Sequence, residues 1–200
     1  MENRDYRINL IKKYLLKLKL SSDIKKYFYG KNILVTGGAG AIGSNLVIML
    51  SELVGEDGLI IVLDNLCSIN GDEPIDLPSL NNMMFVKGDV RNDIDLKRVF
   101  REKPSIVYHL AAFFANQNSV DYPENSADVD IKGIIKLLDL AQFTNVEKFI
   151  YASSGCAIYG SYGKMPLKED FISMHLTTPY QINKMAGEMY SNFYHHHYGL

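Results

Sequence analysis

Two cysteines, Cys67 and Cys156, are all the sequence offers. That is far too few for a disulfide framework, and they lack the clustered spacing of a zinc site. No apolar run approaches the roughly eighteen residues of a membrane span, and lysines interrupt every hydrophobic run near the N-terminus, so a signal-peptide core is absent. Internal repeats and low-complexity tracts are absent as well. Neither charge sign dominates, the formal net charge being −2. A reducing, cytoplasmic setting is the expectation.

What is present suits one domain with a proper core: 200 residues, 47% hydrophobic and 22% charged. The charge is unevenly placed. Residues 1–28 carry eight Lys or Arg against three acids, or +5, which leaves −7 for the remainder. A mildly acidic body argues against a nucleic-acid surface there. On a helix, Leu10, Ile11, Tyr14, Leu15 and Leu18 share an apolar face, while Lys12, Lys13, Lys17 and Lys19 lie mostly opposite. Residues 1–29 therefore read as a basic amphipathic extension, suited to dock on its own domain or a partner subunit in preference to an anionic membrane surface.

From Lys31 the chain alternates short β-rich runs with helical patterns, the mark of a doubly wound α/β domain with a parallel sheet over residues 30–200. The spacing predicts strands at Asn32–Thr36, Leu59–Asp64, Met84–Gly88, Ile106–Leu110 and Lys148–Ser153. Helices are expected over Ala41–Leu53, Asp93–Arg101, Asp128–Phe143 and Pro179–Tyr198, with Asp93 as the N-cap of the second.

The run Thr36-Gly37-Gly38-Ala39-Gly40-Ala41-Ile42-Gly43 follows the first strand and opens the first helix. Gly38, Gly40 and Gly43 satisfy G-x-G-x-x-G, and Gly37, Gly40 and Gly43 satisfy G-x-x-G-x-x-G. In this context a tight turn, close approach of a pyrophosphate and close helix packing each call for glycine, which is the Rossmann pattern of dinucleotide binding. Amides at the helix N-terminus, including those of Ala41 and Ile42, then face the phosphates. Asp64, ending the second strand, is placed for the adenosine ribose hydroxyls, and its charge favours NAD over the 2′-phosphorylated form. Asn65 follows it, with no arginine to receive a 2′-phosphate. Asp89, before Val90 at the end of the third strand, either meets the adenine amino group or is a turn residue.

Tyr180 and Lys184 stand four apart, on one face of the last helix. A nearby ammonium stabilises a phenolate, which equips Tyr180 to take a hydroxyl proton during hydride transfer.

These motifs, in this order, resemble the extended short-chain dehydrogenase/reductase family of sugar-nucleotide epimerases, dehydratases and decarboxylases. The likeness spans about Lys31 to Leu200: Thr36–Gly43, Asp64-Asn65-Leu66, Gly88-Asp89-Val90-Arg91, His109-Leu110-Ala111-Ala112, Ser153–Gly160, Pro179–Lys184 and Tyr198-Gly199-Leu200. The resemblance implies that Leu110, Ala111 and Ala112 lie along the nicotinamide side of NAD, and that Lys184 also binds the nicotinamide ribose. His109 reads as a buried strand-end residue, not a proton carrier. Members usually carry Ser or Thr four residues before the Tyr-Gly pair, here Tyr159-Gly160, but this sequence has Gly155; Ser154 is the first substitute and Ser153 the second. Asp130 stands where the family commonly has Asn.

Dehydratases of this family place Asp-Glu, and decarboxylases Glu, where Cys156 and Ala157 stand. Simple oxidation and reduction at a sugar hydroxyl remains, so the resemblance implies an NAD-dependent epimerase acting on a nucleotide-sugar, with UDP-sugars favoured, as a homodimer. The alternatives are a reductase or dehydratase of the same family, or a non-catalytic NAD-binding module. Relatives continue past the equivalent of Leu200 into a C-terminal region that grips the nucleotide-sugar, a region this chain is expected to lack. Cys156 reads as a small buried hydrophobe. His195-His196-His197 point in different directions on a helix and make a poor metal site.

Overall fold

The computed structural model describes residues 2–67, 77–113, 116–155, 160, 166–168 and 171–200, with side chains from Tyr6 onward. Cys156, Ala157 and Tyr159 lie outside the described residues.

Five parallel strands form one sheet: β1 (Asn32–Thr36), β2 (Leu59–Asp64), β3 (Met83–Lys87), β4 (Ile106–His109) and β5 (Lys148–Tyr151), in the order β3-β2-β1-β4-β5. Alternation along β1 sends its side chains to two different layers. Ile33 and Val35 pack with Ile60, Val62 and with Val47, Leu50 and Val54 of α3 (Ala41–Val54). Leu34 packs on the other face with Ile61, Val107, Leu96 and Val99 of α4 (Asp93–Phe100), and Leu137 and Ala141 of α7 (Gly133–Phe143). Helices thus cover both faces, which is the expected doubly wound arrangement. Strands 3, 4 and 5 end one or two residues earlier than the sequence pattern suggested, because the residues after them leave the ladder to form the crevice loops.

Three local readings are corrected. Asn92, not Asp93, caps α4: its side chain accepts from Ile94 N at 2.8 Å, and Asp93 is the first helical residue. The stretch Asp128–Phe143 is not one regular helix but opens with a π-helical turn, Asp128–Lys132, before α7. Two short helices precede it, α5 (Asn116–Asp121) and α6 (Pro123–Ala127), where the sequence carries no helical periodicity.

The N-terminal extension forms α1 (Glu2–Lys17) and α2 (Ser22–Phe28), the latter capped by Ser21 Oγ accepting from Ile24 N. Both pack on α3 of their own domain. Ile11 is buried there and Lys12 pairs with Glu52 at 3.1 Å. Leu10, Tyr14 and Leu18 stay exposed, so the predicted apolar face is not buried as one unit.

The last helix, α8 (Pro179–Tyr198), starts with a capping box in which Thr178 Oγ1 accepts from Gln181 N and the Gln181 side chain accepts from Thr178 N. Pro179 fits the first turn and Gly199, in the left-handed region, ends the helix. This firm start fixes Tyr180 at the second helical position.

Candidate active site

The strand order reverses between β1 and β4, and ligands of open parallel sheets bind in the crevice at the carboxyl ends of the strands at such a point. The loops after β1 and β4 come into backbone contact here. Gly37, at φ +70°, donates its amide to Leu63 O at 2.9 Å, and a Cβ on it would stand 2.7 Å from Ala111 N. Gly38 and Gly43 are required by packing, since a Cβ would stand 2.6 Å from Val62 Cγ1 or 2.7 Å from Gly38 Cα, respectively. Gly40 caps α3 without a side chain. Ser44 N is bonded to Gly40 O at 2.9 Å, so the helix supplies no acceptor for the amides of Ala41, Ile42 and Gly43. Ile42 is 75% exposed at this open end. A bare cradle of amides at a helix N-terminus fits a pyrophosphate.

Asp64 braces the cradle from β2. Its Oδ2 accepts from Ala39 N at 2.9 Å and its Oδ1 from Leu66 N at 2.8 Å. A carboxylate has about four acceptor positions, so roughly half remain for ribose hydroxyls. Asn65 reaches from the same strand end to Asp89, donating at 2.9 Å. Arg91 grips Asp89 through Nε and Nη2 at 2.9 and 2.8 Å, and this hydrogen-bonded guanidinium, against the opposing effect of burial, holds the carboxyl at about 2. Asp89 is therefore firmly ionised. Val90, just beyond, packs on Gly133 so closely that a Cβ there would lie 2.8 Å from Val90 Cγ2.

On the β4 side, Leu110, Ala111 and Ala112 are half-buried along the crevice. Thr36 Oγ1 accepts from Ala111 N at 3.3 Å and lies 2.7 Å from His109 Nδ1. His109 is fully enclosed; burial, aided by the charge of Lys184, pushes it down to about 3, so it stays neutral. That agrees with a structural part for this residue.

Tyr180 and Lys184 come to the ends of β4 and β5 from α8. Tyr180 N donates to Ser119 Oγ at 3.0 Å. The Lys184 ammonium donates to Ala152 O at 2.9 Å and lies 4.9 Å from the centre of the Tyr151 ring and 5.8 Å from that of Tyr180. Only 3% of Lys184 is exposed, and burial lowers its pKa while the negative charge of Asp130 raises it. Tyr151 Oη and Ser153 Oγ are buried beside it without hydrogen-bond partners, and Ser154 is half-buried. The described residues thus bring a phenol, a desolvated cation and two buried hydroxyls without partners to the carboxyl ends of the strands beside the amide cradle.

Residues 33–200 match the model of the NAD dependent epimerase/dehydratase family. The chain belongs to that family. Among proteins similar to this epimerase/dehydratase chain is the UDP-glucose 4-epimerase of Mycolicibacterium smegmatis, 36% identical over 84% of this chain and 52% of that protein. The structure of an epimerase from Methanothermobacter thermautotrophicus superposes with a TM-score of 0.83 at 48% identity, over 89% of this chain and 51% of that one. The UDP-glucose 4-epimerase of Thermus thermophilus, in complex with NAD, gives 0.73 at 35% identity, over 84% of this chain and 52% of that one. The chain spans about half the length of the relatives it matches. No helix among the described residues is long and apolar enough to cross a membrane.

Sequence reasoning missed several members of this epimerase/dehydratase site. Ser119 and Ser126 come from the short helices α5 and α6, which had no periodic signal. Tyr151 was read only as part of a strand. A signal existed for it in Gly187, a glycine inside a helical pattern, which lies against the Tyr151 ring. His195 and His197 turn to different neighbours, Leu200 O at 3.0 Å and the Phe193 ring at 5.2 Å.

Proposed function

We propose that the chain is the NAD-binding part of a UDP-sugar epimerase in which Tyr180 is the acid–base group. The observation that carries the reading is the buried Lys184, anchored on Ala152 O and lying over the Tyr180 ring, at the ends of the strands flanking the crevice. The UDP-glucose 4-epimerases among its relatives supply the substrate class.

The loop Gly37–Gly43 would hold the pyrophosphate of NAD, with the amides of Ala41, Ile42 and Gly43 turned to it, Asp64 and Asn65 would hold the adenosine ribose, Asp89 and Val90 the adenine side, and Leu110, Ala111 and Ala112 the nicotinamide side. NAD, when bound, supplies an acceptor and donor of hydride. Tyr180 removes the proton of a sugar hydroxyl and returns it, and Lys184 stabilises the phenolate by charge. One of the three ammonium donors of Lys184 is spent on Ala152 O, which leaves two for the nicotinamide ribose and the phenol. A serine after β5 meets the substrate oxygen: Ser154 by its place in the motif, Ser153 by its partnerless buried hydroxyl.

Along α8, Met189 and Phe193 are 66% and 48% exposed, and with Ala186 and Tyr190 they line an apolar groove. A second copy of the chain, apposing the same helix, would bury this strip and make the homodimer.

The test is single-turnover reduction of NAD by UDP-hexoses, read as nicotinamide absorbance, in a form carrying the C-terminal region its relatives have. Tyr180→Phe should lower the rate by about 10²–10⁴-fold with NAD binding nearly intact. A near-normal rate in that variant ends the reading.

A further inference from the structure

A buried carboxylate lies where three parts of the site meet. Asp130, on the π-helical turn, is 2% exposed. Its Oδ1 accepts from Phe113 N at 2.8 Å, and Phe113 directly follows the Leu110–Ala112 stretch of the crevice. Its Oδ2 accepts from Ser126 Oγ at 3.1 Å, and Ser126 Oγ in turn accepts from Asn183 Nδ2 at 2.9 Å. Asn183 immediately precedes Lys184. A continuous chain of hydrogen bonds therefore runs from the loop after β4, through the π turn and α6, to the helix bearing Tyr180 and Lys184.

The direction of these bonds calls for an acceptor-only group at 130. Ser126 Oγ already receives the Asn183 amide, so its own proton points at Asp130. An asparagine at 130 that kept its oxygen on Phe113 N would present its NH₂ to Ser126, and that hydroxyl proton would need a new acceptor. A carboxylate leaves every donor satisfied. It also places a negative charge in the interior, which is tolerated where hydrogen bonds and an opposite charge compensate it. Burial raises the pKa of the Asp130 carboxyl, and the Phe113 amide, the charge of Lys184 and the hydrogen bonds of Ser126 and Asn183 act against it. Lys184 on α8 is the cation acting on it; Tyr151 on β5 is kept protonated by burial and then by Asp130 itself; His109 on β4 is neutral; Tyr180 and Glu188 act on the Tyr151 phenol from α8.

We infer that Asp130 is a positioning residue of the hydride-transfer site, its carboxylate tethering the crevice loop after β4 to the Tyr180–Lys184 helix and serving as counter-charge to the Lys184 ammonium. The inference rests on the epimerase reading for its chemistry but not for its geometry. Removing the charge makes the Lys184 ammonium easier to deprotonate and the Tyr151 phenol easier to ionise. The alkaline limb of the pH–rate profile, set by loss of the Lys184 proton, then moves toward acid.

The experiment compares the wild type with Asp130→Asn in a form carrying the C-terminal region, measuring kcat against pH and NAD affinity against pH. The alkaline limb of each profile should shift by about 1 pH unit toward acid, the order expected for loss of one nearby opposite charge. KM for the UDP-sugar should change little. Asp130→Ala, which also cuts the tether to Phe113 N, should lower kcat at its optimum as well. A merely structural carboxylate would lower thermal stability and leave the pH profiles in place, and superimposable profiles overturn the inference. If Asp130→Asn does not fold, Ser126→Ala removes one hydrogen bond from the carboxylate and should give a smaller shift of the same sign; no shift there overturns the inference too. A wild type that turns over no sugar, with the NAD-affinity profile still displaced in Asp130→Asn, defeats the epimerase reading and supports this one.

Discussion

Replacing Gly187 by alanine sets two opposite effects against each other. In an exposed helix interior the change stabilises by about 1 kcal/mol through backbone propensity alone. Here a Cβ on Gly187 would stand 2.5 Å from Tyr151 Cζ, about 1 Å inside ordinary carbon contact. The ring has little room to yield, because it packs on His109 with centroids 5.7 Å apart and belongs to the cluster of Ile134, Leu138 and Tyr194. Overpacking of this kind costs about 1–3 kcal/mol. The net expectation is destabilisation by about 0–2 kcal/mol, or a fall in Tm of a few degrees for a chain of this size. The ring also carries the Lys184 ammonium at 4.9 Å, so its displacement disturbs the anchor on Ala152 O. A misplacement near 1 Å at a reacting group costs up to about 10²-fold in rate. Thermal unfolding by circular dichroism, NAD titration and single-turnover kinetics read the three consequences. A Gly187→Ala protein with a raised Tm and unchanged NAD affinity would refute the claim that helix and strand are held at contact distance there.

Two further outcomes are expected. Asp64→Ala should weaken NAD binding and narrow its preference over NADP, as isothermal titration with both cofactors will show; equal wild-type affinities would remove Asp64 from that part. Phe193→Glu on α8 should convert a dimer to monomer in light scattering without loss of NAD binding, and a monomeric wild type would remove the second copy from that face.

Much of this architecture was legible because it depends on short-range rules. Asn32–Thr36, the glycine loop and Ala41–Val54 are strand, turn and helix in direct succession, and each signal reinforces the next. Thr178-Pro179-Tyr180-Gln181 start a helix for reasons contained in four residues. What escaped notice depends on contacts between distant segments. Asn92 and Asp93 are both good caps, and only the backbone path into α4 chooses between them. The π turn at Asp128–Lys132 has no pattern of its own; it goes with turning Asp130 inward toward Phe113 and Ser126. Ser119 and Ser126 look like loop residues until α8 is laid across them. Among the site residues, Tyr180, Lys184 and the glycines carried spacing signals, whereas Tyr151 had only a neighbour's missing side chain to betray it.

The position of β1 has a consequence for how the chain folds. β1 is the first strand made and the middle strand of the finished sheet, with Leu34 facing Ile61 on one side and Val107 on the other. The β1–β2–β3 half closes over short crossovers and can form early, but until β4 arrives it presents the apolar strand Ile33–Val35 as an open edge. Loop closure makes that second pairing the slower one. An unpaired apolar edge is also a template for association with other chains. The interval between the two pairings is thus when this protein is most exposed to aggregation, and the crevice, which needs both sides of β1, is among the last features to appear.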